Sequence, residues 1–175
     1  MAAATDLVRH RSYEELSVGA VMEQAGFGRT IFYRHFDDLG DLLIRASREA
    51  IEELYDAQRA LGQTAINADV IHKALEAAVL VYQRHGPLLR AIGEAAASDP
   101  EVAAGHRAMR RMFDGLAEEA LRSRNGGYAN AAETARALNL LDEAYMLDAF
   151  GREPRISAEA ATQTLAEIWA AVFDR

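Results

Sequence analysis

The chain has 175 residues, half of them apolar, enough to bury a substantial core in one domain or in a small module joined to a larger one. It has no cysteine, so disulfides, thiolate metal sites and cysteine nucleophiles are excluded, and nothing in it requires an oxidising compartment. A net charge of −8 argues against a protein that coats nucleic acid indiscriminately, yet up to Arg48 six arginines meet seven acidic residues, so nearly all the excess acidity lies further on.

The opening residues, MAAATDLVRHRSYEEL, lack the charged start and apolar run of a signal peptide, and no stretch offers about 18 consecutive apolar residues for a membrane span. A soluble, cytoplasmic protein is expected. Helical periodicity prevails without sustained strand-like alternation, which predicts an all-α fold of about nine helices. In chain order they run to about Arg11, then Val18 to Gln24, Gly28 to His35, Leu39 to Leu61, Ala68 to His85, Pro87 to Ala97, Pro100 to Arg124, Ala131 to Phe150 and Ala158 to Phe173. Gly26, Gly62, HGP at 85–87, SDP at 98–100, NGG at 125–127 and GREP at 151–154 punctuate them, and Ser17, Asp99 and Ser157 read as N-caps.

The second and third predicted helices are short and meet at Gly26, which suits a helix-turn-helix. Phe32 and Phe36, four apart, share one face of the third helix; Arg29, Tyr33 and Arg34 lie opposite, with Thr30 and His35 near the edges. A recognition helix needs donors for phosphates and base edges on one side and an anchor on the other. Arginine can fork onto guanine, and a tyrosine hydroxyl holds phosphate. The same pattern also describes an ordinary solvated helix face.

Further along, Val79, Tyr82, Met109, Met112 and Phe113 are flexible or aromatic groups able to line an apolar cavity, or plain core. The helix at 131–150 has apolar rows at Leu138, Leu141, Tyr145, Ala149 and at Leu140, Ala144, Leu147, interrupted by Asn139 and Asp142. The last helix carries Leu165, Ile168 and Val172 beside Trp169 and Phe173. Helices apolar on two faces bury both, against their own core and against a second subunit, or wholly inside. His72, His85 and His106 have no metalloprotease spacing, and Asp37, Asp38 and Asp41 read as helix capping, so neither an enzyme nor a metal or cofactor site is expected.

The stretch SVGAVMEQAGFGRTIFYRHFDDLGDLL resembles the N-terminal module of the TetR family of transcriptional regulators. ARALNLLDEAYMLDAFGREPRISAEAATQTLAEIWAAVF, residues 135 to 173, resembles the last two helices of the branch containing the mycobacterial ethionamide-resistance repressor. The resemblance implies a helix-turn-helix DNA-binding domain over 1–48 and a helical ligand-binding and dimerisation domain over 49–175. It implies a homodimer that binds an inverted-repeat double-stranded DNA operator and is released by a small, mostly apolar effector. DNA contacts are then expected from Ser17, Arg29, Thr30, Tyr33, Arg34 and His35, and ligand contacts from Val79, Tyr82, Met109, Met112, Phe113, Asn139 and Asp142. The dimer interface is expected at Leu138, Leu141, Tyr145, Leu165, Ile168, Trp169 and Val172. Gly28, Ile31 and Leu39 depart from the family's usual serine or threonine, threonine and phosphate-binding lysine, so fewer phosphate contacts are expected; the rival reading is a helical dimer that no longer reads DNA. The resembling pattern also starts its first helix about a turn before the alanines, which leads us to expect a native start upstream, a more mobile opening module and weaker DNA binding than a longer form.

Overall fold

In this chain α1 covers Ala2–Leu7, continues as turns to Arg11, and gives way to a 3₁₀ turn at Tyr13–Glu15. That turn is held by Glu15, whose carboxylate accepts from the Ser12 N–H at 2.8 Å. The chain then forms α2 (Val18–Ala25), α3 (Arg29–Phe32), α4 (Leu39–Ala46), α5 (Arg48–Arg59), α6 (Ala68–Ala95), α7 (Pro100–Arg122), α8 (Ala131–Phe150) and α9 (Ala158–Phe173). This computed structural model describes residues 1–59, 67–123 and 128–173, and among them there are nine α-helices and no strand. The expected turns at Gly62 and 125–127 and the expected helix ends at Leu61 and Arg124 lie outside the described residues.

Three N-caps lie where the sequence suggests: Ser17, Asp99 and Ser157 each accept from backbone N–H groups of the turn they open. Two boundaries differ. The predicted helix from Leu39 is interrupted at the fully buried Ser47, whose hydroxyl bonds back to the Ile44 carbonyl at 2.9 Å and competes with the helical ladder. Conversely, HGP does not end a helix, and Pro87 sits inside α6. Gly86 is there because α8 ends against it: a Cβ at that position would collide with the Phe150 carbonyl.

Helix α6, about 42 Å long from its 28 residues, is the central post. Residues of α5, α7, α8 and α9 close around it in the largest core cluster, which includes Leu54, Phe113, Leu138, Met146, Leu165 and Trp169. A second cluster joins Val8 and Leu16 to Leu43 of α4, Leu88 and Ile92 of α6 and Val102 of α7. A third, formed by Ala4, Val21, Met22, Phe32 and Leu42, holds α1 to α4 together. The opening helices are thus a small packed unit seated on the larger bundle through the second cluster.

The burial corrects part of the expected subunit interface. Leu138, Leu165 and Trp169 are 5 %, 0 % and 1 % exposed, inside the subunit's own core, because the turn angle of α9 points Leu165 and Trp169 at α6. Leu141 is exposed, and Tyr145, Ile168 and Val172 are half-buried.

Candidate functional site

Ser17 opens α2 by accepting from the Ala20 N–H at 3.1 Å, and Gly26 closes it in the left-handed region at φ 73°. The next helix is swung across the first and pinned by Phe32, which is buried among Val21, Met22 and Leu42 and lies 5.3 Å from the Phe36 ring. With that side anchored, the other side faces water: Arg29, Thr30, Tyr33, Arg34 and His35 are all exposed, as is Ser17. Only Arg29–Phe32 is regular helix; from Tyr33 to Phe36 the chain continues in turns, consistent with β-branched and aromatic residues of modest helix propensity. Two apolar side chains share the surface, Phe27 at 60 % and Ile31 at 38 % exposure.

Arg29 lies along α2, and a Cβ on Gly19 would come within 2.5 Å of its Nη2. The absence of a side chain at Gly19 leaves room for the arginine in this position. The acidic group behind the face is structural: Asp38 caps α4 by accepting from the Asp41 N–H at 2.9 Å, and Asp41 pairs with Arg45 at 2.7 Å. The Arg45 hydrogen bond holds the Asp41 carboxyl below its usual range. Among the described residues no group of three or more potential ligands could hold a metal ion.

Between α7 and α8, closed by α5 and α6, lies a cavity of about 360 Å³, within the size range of small-molecule sites. Its walls follow one spacing twice: Arg107, Arg110, Arg111 and Asp114 on α7, and Arg136, Asn139, Leu140 and Glu143 on α8. Positions i, i+3, i+4 and i+7 form one helix stripe. Tyr82, Met109, Phe113, Asn139 and Asp142 line this cavity as expected, together with Leu54, Gln58 and Met146. Val79 and Met112 do not. Val79 is fully buried in the core, and Met112 is 37 % exposed on the outer side of α7. The matched polar stripes were the available signal for the residues the apolar reading missed.

The cavity's polar groups are partly paired. Glu143 accepts from His106 at 2.9 Å and from Arg110 at 2.7 Å. Burial raises its pKa, but these two donors outweigh burial and hold it below the usual range. Asn139 donates to Asp114 at 3.0 Å, and Trp169 donates to Asp142 Oδ2 at 2.9 Å. The remaining oxygens, Asn139 Oδ1 and Asp142 Oδ1, are buried without a protein partner. Burial pushes the Asp142 carboxyl up to about 7 against the pull of the Trp169 donor. Burial, then the charges of Glu143 and Asp142, raise the Tyr82 hydroxyl.

This architecture matches known proteins at both ends. Residues 1–46 match the family model described as bacterial regulatory proteins, tetR family, and residues 71–173 match transcriptional regulator EthR, C-terminal domain. The chain belongs to the TetR family. Solved structures share its fold at low identity. PfmR of Thermus thermophilus, a TetR-family transcriptional regulator, is 20 % identical with a TM-score of 0.79, covering 98 % of this chain and 95 % of that one. A candidate transcriptional regulator of Pseudomonas aeruginosa is 17 % identical with a TM-score of 0.76, covering 97 % and 86 %. A candidate TetR-family regulator of Mesorhizobium loti is 17 % identical with a TM-score of 0.69, covering 98 % and 93 %. No curated protein sequence matches the chain.

TetR-family regulators are non-enzymatic, dimeric transcription factors that bind DNA and small-molecule effectors. Among the described residues no helix is long and apolar enough to cross a membrane. In this TetR-family chain Leu39 is half-buried between the second and third core clusters.

Proposed function

We propose that this protein is a cytoplasmic repressor which, as a homodimer, binds an inverted-repeat operator through Ser17, Arg29, Thr30, Tyr33, Arg34 and His35 and leaves it when a small, mostly apolar effector enters the α7–α8 cavity. The observation that carries this reading is the exposed face of α3 and its following turn: five polar or charged side chains, with Ser17 at the start of α2 as a sixth, are exposed on a helix-turn-helix whose opposite side is anchored by Phe32. The opening helices form the DNA-binding domain, residues 1–48, and residues 49–175 the ligand-binding and dimerisation domain. In a two-fold dimer the recognition helices lie about 34–36 Å apart, or a multiple of that, which sets the operator's half-site spacing.

Release requires that the effector bind the two conformations unequally. The lever is α4, whose Gly40 is docked so closely that a Cβ there would sit 2.5 Å from Asp99 Oδ2 and 2.8 Å from the Val102 side chain, at the start of the cavity-lining helix α7. A shift of α7 reaches the opening domain directly.

Fluorescence anisotropy on DNA from upstream of the protein's own gene tests the reading. Arg34→Ala or Arg29→Ala should cost about 1–3 kcal/mol and relax specificity at one base pair if the arginine reads a base. If it holds only phosphate, binding to all sequences should weaken together with a shallower salt slope. Binding that no salt concentration or substitution alters would favour the rival, a helical dimer without DNA reading.

A further inference from the structure

The cavity between α7 and α8 mixes apolar side chains with arginines and carboxylates, and not all of its buried polar atoms are matched. Asp142 is 2 % exposed. It lines the cavity; one of its oxygens takes the Trp169 N–H, and the other is buried without a protein donor. Asn139 presents a second such oxygen. Its amide cannot turn to relieve this, because its Nδ2 is fixed on Asp114 Oδ1, and turning would set two oxygens against each other. Native interiors seldom leave buried acceptors unmet, and here two of them belong to side chains that line one cavity, which bears on what its occupant supplies.

Charge narrows the class. A buried carboxylate without a counter-charge is poorly solvated, and a cation placed on it restores what burial removed. The arginines that would oppose a cation are outside or neutralised: Arg107, Arg111 and Arg136 are exposed to water, where screening weakens them, and Arg110 is bonded to Glu143. We infer that the ligand of this cavity is an amine, its apolar body against Leu54, Met109 and Phe113 and its protonated head donating to Asp142 Oδ1 and Asn139 Oδ1. The inference rests on the cavity being the effector site and adds the head group to that reading.

The protein carries its own reporter. Trp169 is the sole tryptophan, and its indole N–H is bonded to the carboxylate in question. Hexylamine, 1-hexanol and hexanoate share a chain length and differ in the head. Hexylamine should change Trp169 fluorescence saturably and raise the melting temperature; hexanol should bind about tenfold more weakly or worse, and hexanoate not at all. Asp142→Asn should cost hexylamine about tenfold or more and leave hexanol nearly unchanged.

The pH dependence is a second measurement that needs no variant. Besides Asp142, the charged or titratable groups lining the cavity are Tyr82 on α6, Asp114 and Arg110 on α7, and Glu143 on α8 with its partner His106, with Arg107, Arg111 and Arg136 exposed to water. Hexylamine affinity should rise between about pH 6 and 8 as Asp142 loses its proton while the amine, close to lysine in basicity, keeps its own. In Asp142→Asn this rise should disappear.

Hexanoate or hexanol binding as tightly as hexylamine would overturn the inference, as would a flat pH profile in the wild type. Operator release is measured separately. Hexylamine that binds at Asp142 without changing DNA affinity upholds the ligand class and removes the effector role; release by hexanoate but not by hexylamine upholds the repressor and overturns the amine.

Discussion

At Asp142 stability and ligand chemistry pull against each other. The folded protein holds a proton there up to about pH 7, whereas the unfolded chain gives it up near the ordinary value of 3.8. Its contribution to stability is therefore fully present below about pH 4 and is lost as the pH rises through 7. Glu143 has the opposite sign: its carboxyl is held below the ordinary value, so its contribution is present above about 4.5 and lost as the pH falls. Asp142→Asn, which stays neutral, should accordingly raise the urea midpoint relative to wild type at pH 8, with the gap closing towards pH 5; Trp169 fluorescence follows both transitions. A gap of the same size at both pH values would mean that Asp142 is already paired. Asn139 and Asp142 were legible in the sequence because they break apolar rows on α8. Which side of α7 faces them was not: Met112 and Phe113 flank Met109 on the helical wheel at about −60° and +40°, and packing on α8, not residue type, turns Phe113 inward and Met112 out.

The number of helices agrees with the sequence reading for compensating reasons: one expected helix breaks at Ser47, and two expected helices are continuous through Pro87. Glycine and proline were read as punctuation, a local rule, whereas Gly86 answers a tertiary demand, the close approach of the α8 terminus. The continuity of α6 matters because it places Arg90 and Glu94 one and two turns beyond that contact. Arg90 Nε donates to the Gly151 carbonyl at the end of α8 at 2.8 Å, and its Nη2 donates to the Val8 carbonyl at 2.7 Å and the Arg11 carbonyl at 3.0 Å. Glu94 pairs with Arg90 and accepts from the Tyr13 N–H at 2.8 Å. One side chain thus ties the end of a cavity wall to the turns after α1. Arg90→Met keeps the aliphatic stem but leaves three carbonyls and Glu94 without this partner, at a cost of about 2–4 kcal/mol. Operator affinity should fall because α1 supports α2, while hexylamine binding in the cavity should hold. Equal losses in both would mean that the substitution disturbs the bundle as a whole.

On the scale of the whole molecule, the apolar surface left over by one subunit decides how two would meet. α8 is apolar around much of its circumference; Leu138 and Met146 enter the core, whereas Leu140 and Leu141 remain 40 % and 39 % exposed with Ala144 beside them. On α9 Leu165 and Trp169 enter the core, and Ile168 and Val172 remain half-buried. Partly exposed apolar side chains of this kind on two helices are what a dimer interface buries, and Leu141, Ile168 and Val172 give the proposed homodimer a contact set narrower than the apolar rows suggest. Two substitutions separate interface from core. Leu165→Glu puts a charge at a site with no exposure and should unfold the subunit, at a cost of about 4 kcal/mol or more. Leu141→Glu combined with Ile168→Glu places charges at the outer faces, where a single subunit can hydrate them, and should give a folded monomer with wild-type helicity by circular dichroism and half the mass by light scattering. That monomer should also lose operator binding steeply, since one half-site alone carries too few contacts. A double variant that remains a dimer would move the interface away from α8 and α9.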